Sequence, residues 1–318
     1  MKSVRATTFR QGLGPVLLTL WCLAAVPAAV AQPPSSPPAA PPASPAAPAP
    51  TLTLRARTFR PGELLLVTVA VPPPAADVRV NVFDRTVAAW PVGDGEWQAM
   101  TGIDLDQRPG RYVVEAQVVD GPAVRSARRT VVVTRRQFPT RALRVAPDYV
   151  NPPPAIAERI EREQAFTRAV YGQSAPTRLW SAPFVRPVPQ PSNSRFGTRS
   201  VFNGEPRNPH AGADFLSPAG TPIQSPNAGR IVCARELFFT GHTVIVDHGL
   251  GVFSLMAHLS RLDVREGDVV QAGQRLGLVG ATGRVTGPHL HWAMAVAGAR
   301  VDPLSVLALL GATPAAAR

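Results

Sequence analysis

The chain has 318 residues, of which 36 are proline and two are cysteine, and its formal net charge is +12. At roughly 100–200 residues per domain, this length accommodates two modest domains with connecting segments. There is no Gly-X-Y period, no sustained heptad and no cysteine framework, which excludes collagen-like, coiled-coil and disulfide-knot proteins.

The N-terminus reads as an export signal over residues 1–31. Lys2, Arg5 and Arg10 form a basic start, Val16 to Val26 is almost wholly apolar, and Ala29-Val30-Ala31 supplies a small-x-small pattern. Cleavage is expected before Gln32; an uncleaved anchor is the alternative. Outside this stretch no apolar run reaches the roughly 18 residues of a membrane span, so no stable span is expected after cleavage. Cys22 follows Trp21 rather than a small residue, which argues against lipidation, and it is expected to leave with the signal. Cys233 is then the single mature cysteine and, within Ile231-Val232-Cys233-Ala234, reads as a small buried residue. No intramolecular disulfide is possible, so stability must come from a core, a metal or both.

Of the 33 basic residues 32 are arginine, and loss of the signal lowers the charge from +12 to +9. A positive field favours anionic partners such as cell-wall polymers. The chain lacks a basic cluster with interleaved aromatics, so no nucleic acid is expected as a partner.

Residues 32–50 are almost entirely proline, alanine and serine and read as an extended linker. From 51 to 134 short β-type runs such as Leu64-Leu65-Leu66-Val67-Thr68-Val69 and Thr130-Val131-Val132-Val133 alternate with Gly, Pro and Asp turns. This spacing predicts a small β-sandwich-like accessory domain. It contains no histidine and no cysteine, which points to a binding or spacing role, with other envelope proteins as candidate partners. Residues 135–190 form a connector in which Asn151-Pro152-Pro153-Pro154 starts a short amphipathic helix through Ile156–Val170, read as a packing helix. Residues 191–318 are again rich in strands and glycine turns. The fold class expected is therefore mainly β, with a helical and proline-rich connector between two β domains.

All six histidines lie between 210 and 291: His210, His242, His248, His258, His289 and His291. Neutral imidazole is the commonest metal ligand, so the clustering points to a site. In His210-Ala211-Gly212-Ala213-Asp214 small residues let an imidazole and a carboxylate turn toward one ion. In His289-Leu290-His291 alternate side chains of a strand share a face, so both rings point the same way. Two histidines and an aspartate suit a catalytic zinc with one open position. Spacing alone leaves open which of His289 and His291 is the ligand; the other would stand beside the metal-activated water, and His258 is a second such group.

The segments Ser194-Arg195-Phe196-Gly197, His210-Ala211-Gly212-Ala213-Asp214-Phe215, Pro218-Ala219-Gly220-Thr221-Pro222, Ile245-Val246-Asp247-His248-Gly249, Ala257-His258-Leu259-Ser260, Gly280-Ala281-Thr282-Gly283-Arg284 and Thr286-Gly287-Pro288-His289-Leu290-His291-Trp292 closely resemble the lysostaphin/LytM-type zinc metallopeptidases, which cut peptide cross-links in bacterial cell walls. The resemblance covers roughly Ser194 to Pro303. It implies a compact antiparallel β metallopeptidase domain with an open groove, His210, Asp214 and His291 as ligands of one zinc ion, and His258 and His289 as the pair that polarises water and stabilises the tetrahedral intermediate. Met256 stands where the family usually has tyrosine, and residues 191–318 contain no tyrosine, so zinc and histidine must act without a phenol. His242 reads as a surface or turn residue, His248 as a structural residue at the base of the groove, and Trp292 as core. Asp247 is discounted as an imidazole partner because neighbouring strand residues point to opposite faces.

The function this implies is an exported zinc endopeptidase that hydrolyses peptidoglycan cross-links through a zinc-bound water, placed in the periplasm or envelope of a Gram-negative bacterium. The alternative is a non-catalytic or latent wall-binding protein that activates a wall amidase. In a latent form Asn203 and Arg207, just ahead of His210, are close enough in sequence to meet the metal's open position.

Overall fold

A computed structural model of the chain describes residues 48–72, 75, 77–121, 123–193 and 196–311. The expected export signal, most of the proline-rich linker, and Ser194-Arg195 lie outside the described residues. The described residues form one compact unit. Among the described residues no helix is long and apolar enough to cross a membrane.

The first β region contains β1 (Thr51–Arg55), β2 (Leu64–Ala70), β3 (Asp77–Val82), β4 (Arg85–Ala88), β5 (Trp90–Gly93), β6 (Glu96–Gly102), β7 (Gly110–Asp120) and β8 (Ala123–Val133). They form two four-stranded sheets, ordered β1-β2-β6-β5 and β4-β3-β7-β8. Val67, Val69, Val78, Val80, Val114 and Val118 fill the space between them. Strand β2 explains why Leu64-Leu65-Leu66-Val67 is apolar without alternation. Leu65 and Val67 face the sandwich interior, while Leu64 and Leu66 belong to a second core shared with the C-terminal sheet. A strand buried on both faces loses its period-2 pattern.

The connector supplies β9 (Thr140–Leu143) and α1 (Pro154–Tyr171). The C-terminal region then contributes β10 (Arg199–Phe202), β11 (Glu205–Pro206), β12 (Gly212–Phe215), β13 (Pro222–Gln224), β14 (Gly229–Leu237), β15 (Gly241–Asp247), β16 (Val252–Leu262), β17 (Val269–Val270), β18 (Arg275–Val279), β19 (Leu290–Val296), β20 (Ala299–Val301) and α2 (Pro303–Leu310). Its main sheet is open and antiparallel, ordered β12-β19-β16-β15-β14-β17, with β18 and β20 attached to β16 and β19. Strand β10 lies outside it, pairing antiparallel with β11 and parallel with β9.

Alternation divides this sheet into two chemically distinct faces. Leu290, Trp292, Met294 and Val296 of β19 enter the shared core with Leu64, Leu66 and Met100 from the first region and Val306 from α2. Ala293 and Ala295 look the other way, onto a smaller cluster of Cys233, Ile245, Phe253, Leu255 and Ala257 that is covered by Phe166, Val170 and Tyr171 of α1. His291 lies on this second face, so the connector helix shields one end of the surface whose other end carries the histidines. Cys233 is fully buried there, and burial pushes its thiol up to about 11, which makes it an inert packing residue.

A charged network joins the two β regions. Arg57 binds Glu63 at 2.8 Å and Asp302 at 2.7 Å, and Glu63 accepts the Ser305 hydroxyl at 2.9 Å. Asp302 also caps α2 through the Leu304 amide at 3.0 Å. Gly102 permits close approach: a Cβ there would stand 2.5 Å from the side chains of both Ala299 and Val301.

His248 is wholly buried in the shared core, against the Phe184 ring, and does not line the histidine cleft described below. Its Nδ1–H donates to the Ala228 carbonyl at 2.8 Å and its Nε2 accepts the Ser254 hydroxyl at 2.9 Å. Burial pushes this imidazole down to about 4 from an ordinary 6.5. The unfolded chain therefore takes up a proton before the folded one does, and stability falls as pH drops from 6.5 to 4. The loss reaches on the order of 3 kcal/mol at pH 4. His248→Asn should lose less stability than the parent across this window in urea titrations; parallel pH curves would reject the assignment.

Candidate metal centre and active site

The centre is built on the register of two strands. β12 pairs antiparallel with β19 so that Asp214 lies directly opposite His291. Directly opposed residues project to the same face with Cβ atoms roughly 5 Å apart, within reach of a common ion. Gly212 leaves room for the ring: a Cβ there would meet the His291 imidazole at 2.6 Å and the Trp292 carbonyl at 2.6 Å. His210 precedes β12, and its backbone is tied to the turn at 197–198 by Gly197 N to His210 O at 2.7 Å and His210 N to Thr198 O at 2.9 Å.

Three donor atoms converge. His210 Nε2 lies 2.8 Å from Asp214 Oδ1, His291 Nδ1 lies 3.0 Å from the same oxygen, and the two ring nitrogens are 2.9 Å apart. A tetrahedral zinc with bonds of about 2.0–2.1 Å spaces its ligands about 3.3 Å apart, so this triangle opens by only a few tenths of an ångström to take the ion. The donor set, two imidazoles and one carboxylate, is the kind that catalytic zinc sites use. Among the described residues it is the one group of His, Cys, Asp and Glu side chains close enough to hold a metal. Burial opposes charge on Asp214, but hydrogen bonds from His210 and His291 outweigh it and hold the carboxyl far below its usual range. Burial lowers His291 in turn, partly offset by Asp214. These directions favour an ionised carboxylate and a neutral imidazole, the forms that bind a metal.

Two further imidazoles border the triangle. His289 precedes β19, with Nε2 3.9 Å from Asp214 Oδ1 and Nδ1 directed at the Gly287 carbonyl at 2.9 Å. His258 directs Nδ1 at the Thr282 carbonyl at 2.9 Å, and its ring centroid lies 4.9 Å from that of His289. With each Nδ1–H committed to a carbonyl, each Nε2 is left unprotonated. Burial, reinforced by His291 and His289, pushes His258 down to about 3.

Strict alternation would point His258 into the core, because Met256, two residues earlier, is buried opposite Trp292. The backbone of His258 has φ +68°, in the left-handed region, and a β-bulge follows in its pairing with β18. That kink turns the ring onto the face carrying His291, and left-handed non-glycine residues of this kind cluster at functional sites. Met256, the position usually held by tyrosine, is fully buried in the core, so it contributes nothing to the cleft.

The five residues line a cleft of about 280 Å³ whose other walls include Phe202, Phe239, Arg284 and the connector residues Arg141, Leu143 and Val145. The contribution of β9 is absent from the sequence reading, since nothing local signals its pairing with β10. Asn203 and Arg207 do not reach the metal triangle. Asn203 holds the connector through Val145 N at 3.1 Å and Val145 O at 2.9 Å, and Arg207 donates to Val150 O at 2.6 Å. His242 is half-buried in β15 and does not line the cleft. Asp247 orients no imidazole; it accepts the Ser174 hydroxyl at 2.6 Å and the Ala175 amide at 2.7 Å, which fixes the chain after α1.

Residues 208–303 match peptidase family M23. The chain is 43% identical over 96 residues to ShyA, a peptidoglycan DD-endopeptidase of Vibrio cholerae, and 41% identical over 97 residues to Mpg, a DD-carboxypeptidase/endopeptidase of Neisseria meningitidis. Each match covers 30% of this chain and 22% of the relative, so the chain aligns with only about a fifth of the length of these curated relatives. A crystal structure of a peptidase M23 candidate from Pseudomonas aeruginosa superposes with a TM-score of 0.62 at 32% identity, covering 79% of this chain and 96% of that one. That likeness extends well beyond the metal centre to most of the described fold, and with it the chain belongs to peptidase family M23.

Proposed function

We propose that the protein is an exported zinc-dependent endopeptidase that hydrolyses peptide cross-links of bacterial peptidoglycan in the periplasm or cell envelope. The observation that carries this reading is the triangle of His210 Nε2, Asp214 Oδ1 and His291 Nδ1, no side longer than 3.0 Å, bordered by two further imidazoles in an open cleft. The similarity to ShyA, a peptidoglycan DD-endopeptidase, supports the substrate class. Zinc, when bound, would polarise the scissile carbonyl and lower the pKa of water toward about 7.

The remaining chemistry belongs to the chain. Asp214 offsets the ion's charge through Oδ1. His258 and His289 present Nε2 to the space beside the triangle, one to accept the attacking water's proton. Once protonated, that imidazole becomes a donor to the developing oxyanion or to the departing amine. Thr282 and Gly287 fix the tautomers by taking the Nδ1 protons, and no phenol takes part. The first β region, 51–134, packs on the back of the sheet, away from the cleft, where it is free to serve as a binding surface for wall polymer or other envelope proteins.

Purified sacculi incubated with the mature protein should show cross-linked dimers converted to monomers. EDTA should abolish the conversion and added zinc should restore it. An unchanged muropeptide profile from zinc-loaded protein would reject the enzyme reading and favour the amidase-activating one.

The two classes of histidine should separate by metal content. His291→Ala should lose both bound zinc and turnover. His289→Ala should keep zinc by elemental analysis while turnover falls by a factor on the order of 10²–10⁴, the usual worth of a proton-handling group. Unchanged turnover in His289→Ala would remove its assigned role.

A further inference from the structure

The metal cleft contains positive charge that the hydrolytic machinery leaves unused. Arg141 enters from β9, whose parallel pairing sets Arg141 opposite Ser200. That strand is anchored at both ends, by Arg199 N to Pro139 O at 2.9 Å and by the two hydrogen bonds between Asn203 and Val145. The backbone that carries Arg141 is therefore fixed at the edge of the cleft by one main-chain bond and by the Asn203 side chain. Its Nη2 stands 3.8 Å from Asp214 Oδ2, beyond hydrogen-bonding distance, and its buried Nε has no hydrogen-bond partner. An arginine with five donors in a partly buried wall normally finds an acceptor.

Asp214 is a poor candidate for that acceptor, because its other oxygen already belongs to the His210–His291 triangle and its charge is needed by the ion. Arg284, also on the cleft wall, lies 4.8 Å from the Phe202 ring and 4.7 Å from the Phe239 ring. Among the described residues lining the cleft, Asp214 is the single acid against these two arginines. With a divalent ion in place the cleft is short of negative charge, and the guanidinium fork matches a carboxylate.

We propose that Arg141 is a specificity-determining residue that binds a free carboxylate of the peptide substrate next to the scissile amide. The inference rests on the endopeptidase reading for the identity of the substrate. Its physical content is the recognition of a peptide carboxylate beside the metal. That carboxylate is either the α-carboxylate of a C-terminal residue or a side-chain carboxylate within the peptide.

The test uses zinc-loaded full-length mature protein and non-cleavable analogues of a stem peptide in four forms: both carboxylates free, the C-terminus amidated, the side chain amidated, and both amidated. Calorimetric Kd values should favour the free form over the doubly amidated one by about 10- to 100-fold, and the singly amidated forms identify which carboxylate is read. In Arg141→Met this ratio should collapse toward one with zinc content retained, and Arg141→Lys should restore part of it. A ratio near one in the parent protein, or a ratio unchanged in Arg141→Met, overturns the proposal. So does loss of zinc from both variants, which would make Arg141 a positioning residue for Asp214. Turnover of cleavable counterparts is read separately: an Arg141-dependent binding ratio without cleavage supports carboxylate recognition while rejecting the endopeptidase reading.

Discussion

Burial of the Asp214 carboxylate between two imidazoles is the constraint from which most of this architecture follows. A carboxylate at 6% exposure is costly unless positive charge or donors surround it, and here His210 and His291 do so. Their positions depend on the β12–β19 register. A slip by one residue would set Asp214 opposite Leu290 or Trp292, both fully buried on the other face, and would expose those side chains in exchange. The register is thus held by the same hydrophobic packing that stabilises the fold. Gly212 completes the arrangement, since any side chain there would occupy the space of the His291 ring.

The alternation that holds the register also separates stability from chemistry. One face of the main sheet is fused to the first β region through Leu64, Leu66 and Met100 and clamped by the Arg57–Glu63–Asp302 network. The other face carries the Asp214–His291 pair and is covered only in part, by α1. The core side can therefore be rigid while the opposite side remains open to a polymer. The network adds specificity of docking: Glu63, at 4% exposure, has its charge met by both Arg57 and Arg136, and removal of both would strand a buried ion.

The parts of this structure that local pattern encodes were readable in the sequence. The strands of residues 51–134, the helix beginning near Pro154 and the shared face of His289 and His291 follow from periodicity and turn residues. His210 and Asp214 were readable as a pair with room to bend, although the reason for Gly212 is a contact with a residue 79 positions away. His258 was read as a second group beside the metal-activated water from the histidine cluster and from resemblance to a family, although alternation alone points it toward the core and only the left-handed backbone reverses it. Arg141 was not readable. Its place depends on a parallel pairing between residues about 60 apart, and nothing near Arg141 distinguishes it from the many other arginines. Asn203 and Arg207 illustrate the converse: proximity in sequence to a ligand suggested metal contact, and the structure uses them to tie down the connector.

The connector's mode of attachment has a consequence for how the cleft divides its tasks. The metal triangle lies wholly within residues 208–303, where side-chain packing fixes its register. Strand β9 lies outside that segment and joins through a main-chain ladder with β10 and through the Asn203 side chain, which grips Val145. Its residues alternate between solvent and cleft, so Arg141 and Leu143 line the site while Thr140 and Ala142 face outward. Arg141 and Leu143 therefore belong to the cleft wall but to neither strand of the Asp214–His291 pair. The metal triangle and the wall that carries Arg141 thus sit on different segments, one fixed by a hydrophobic core and the other by a short parallel ladder and the Asn203 side chain.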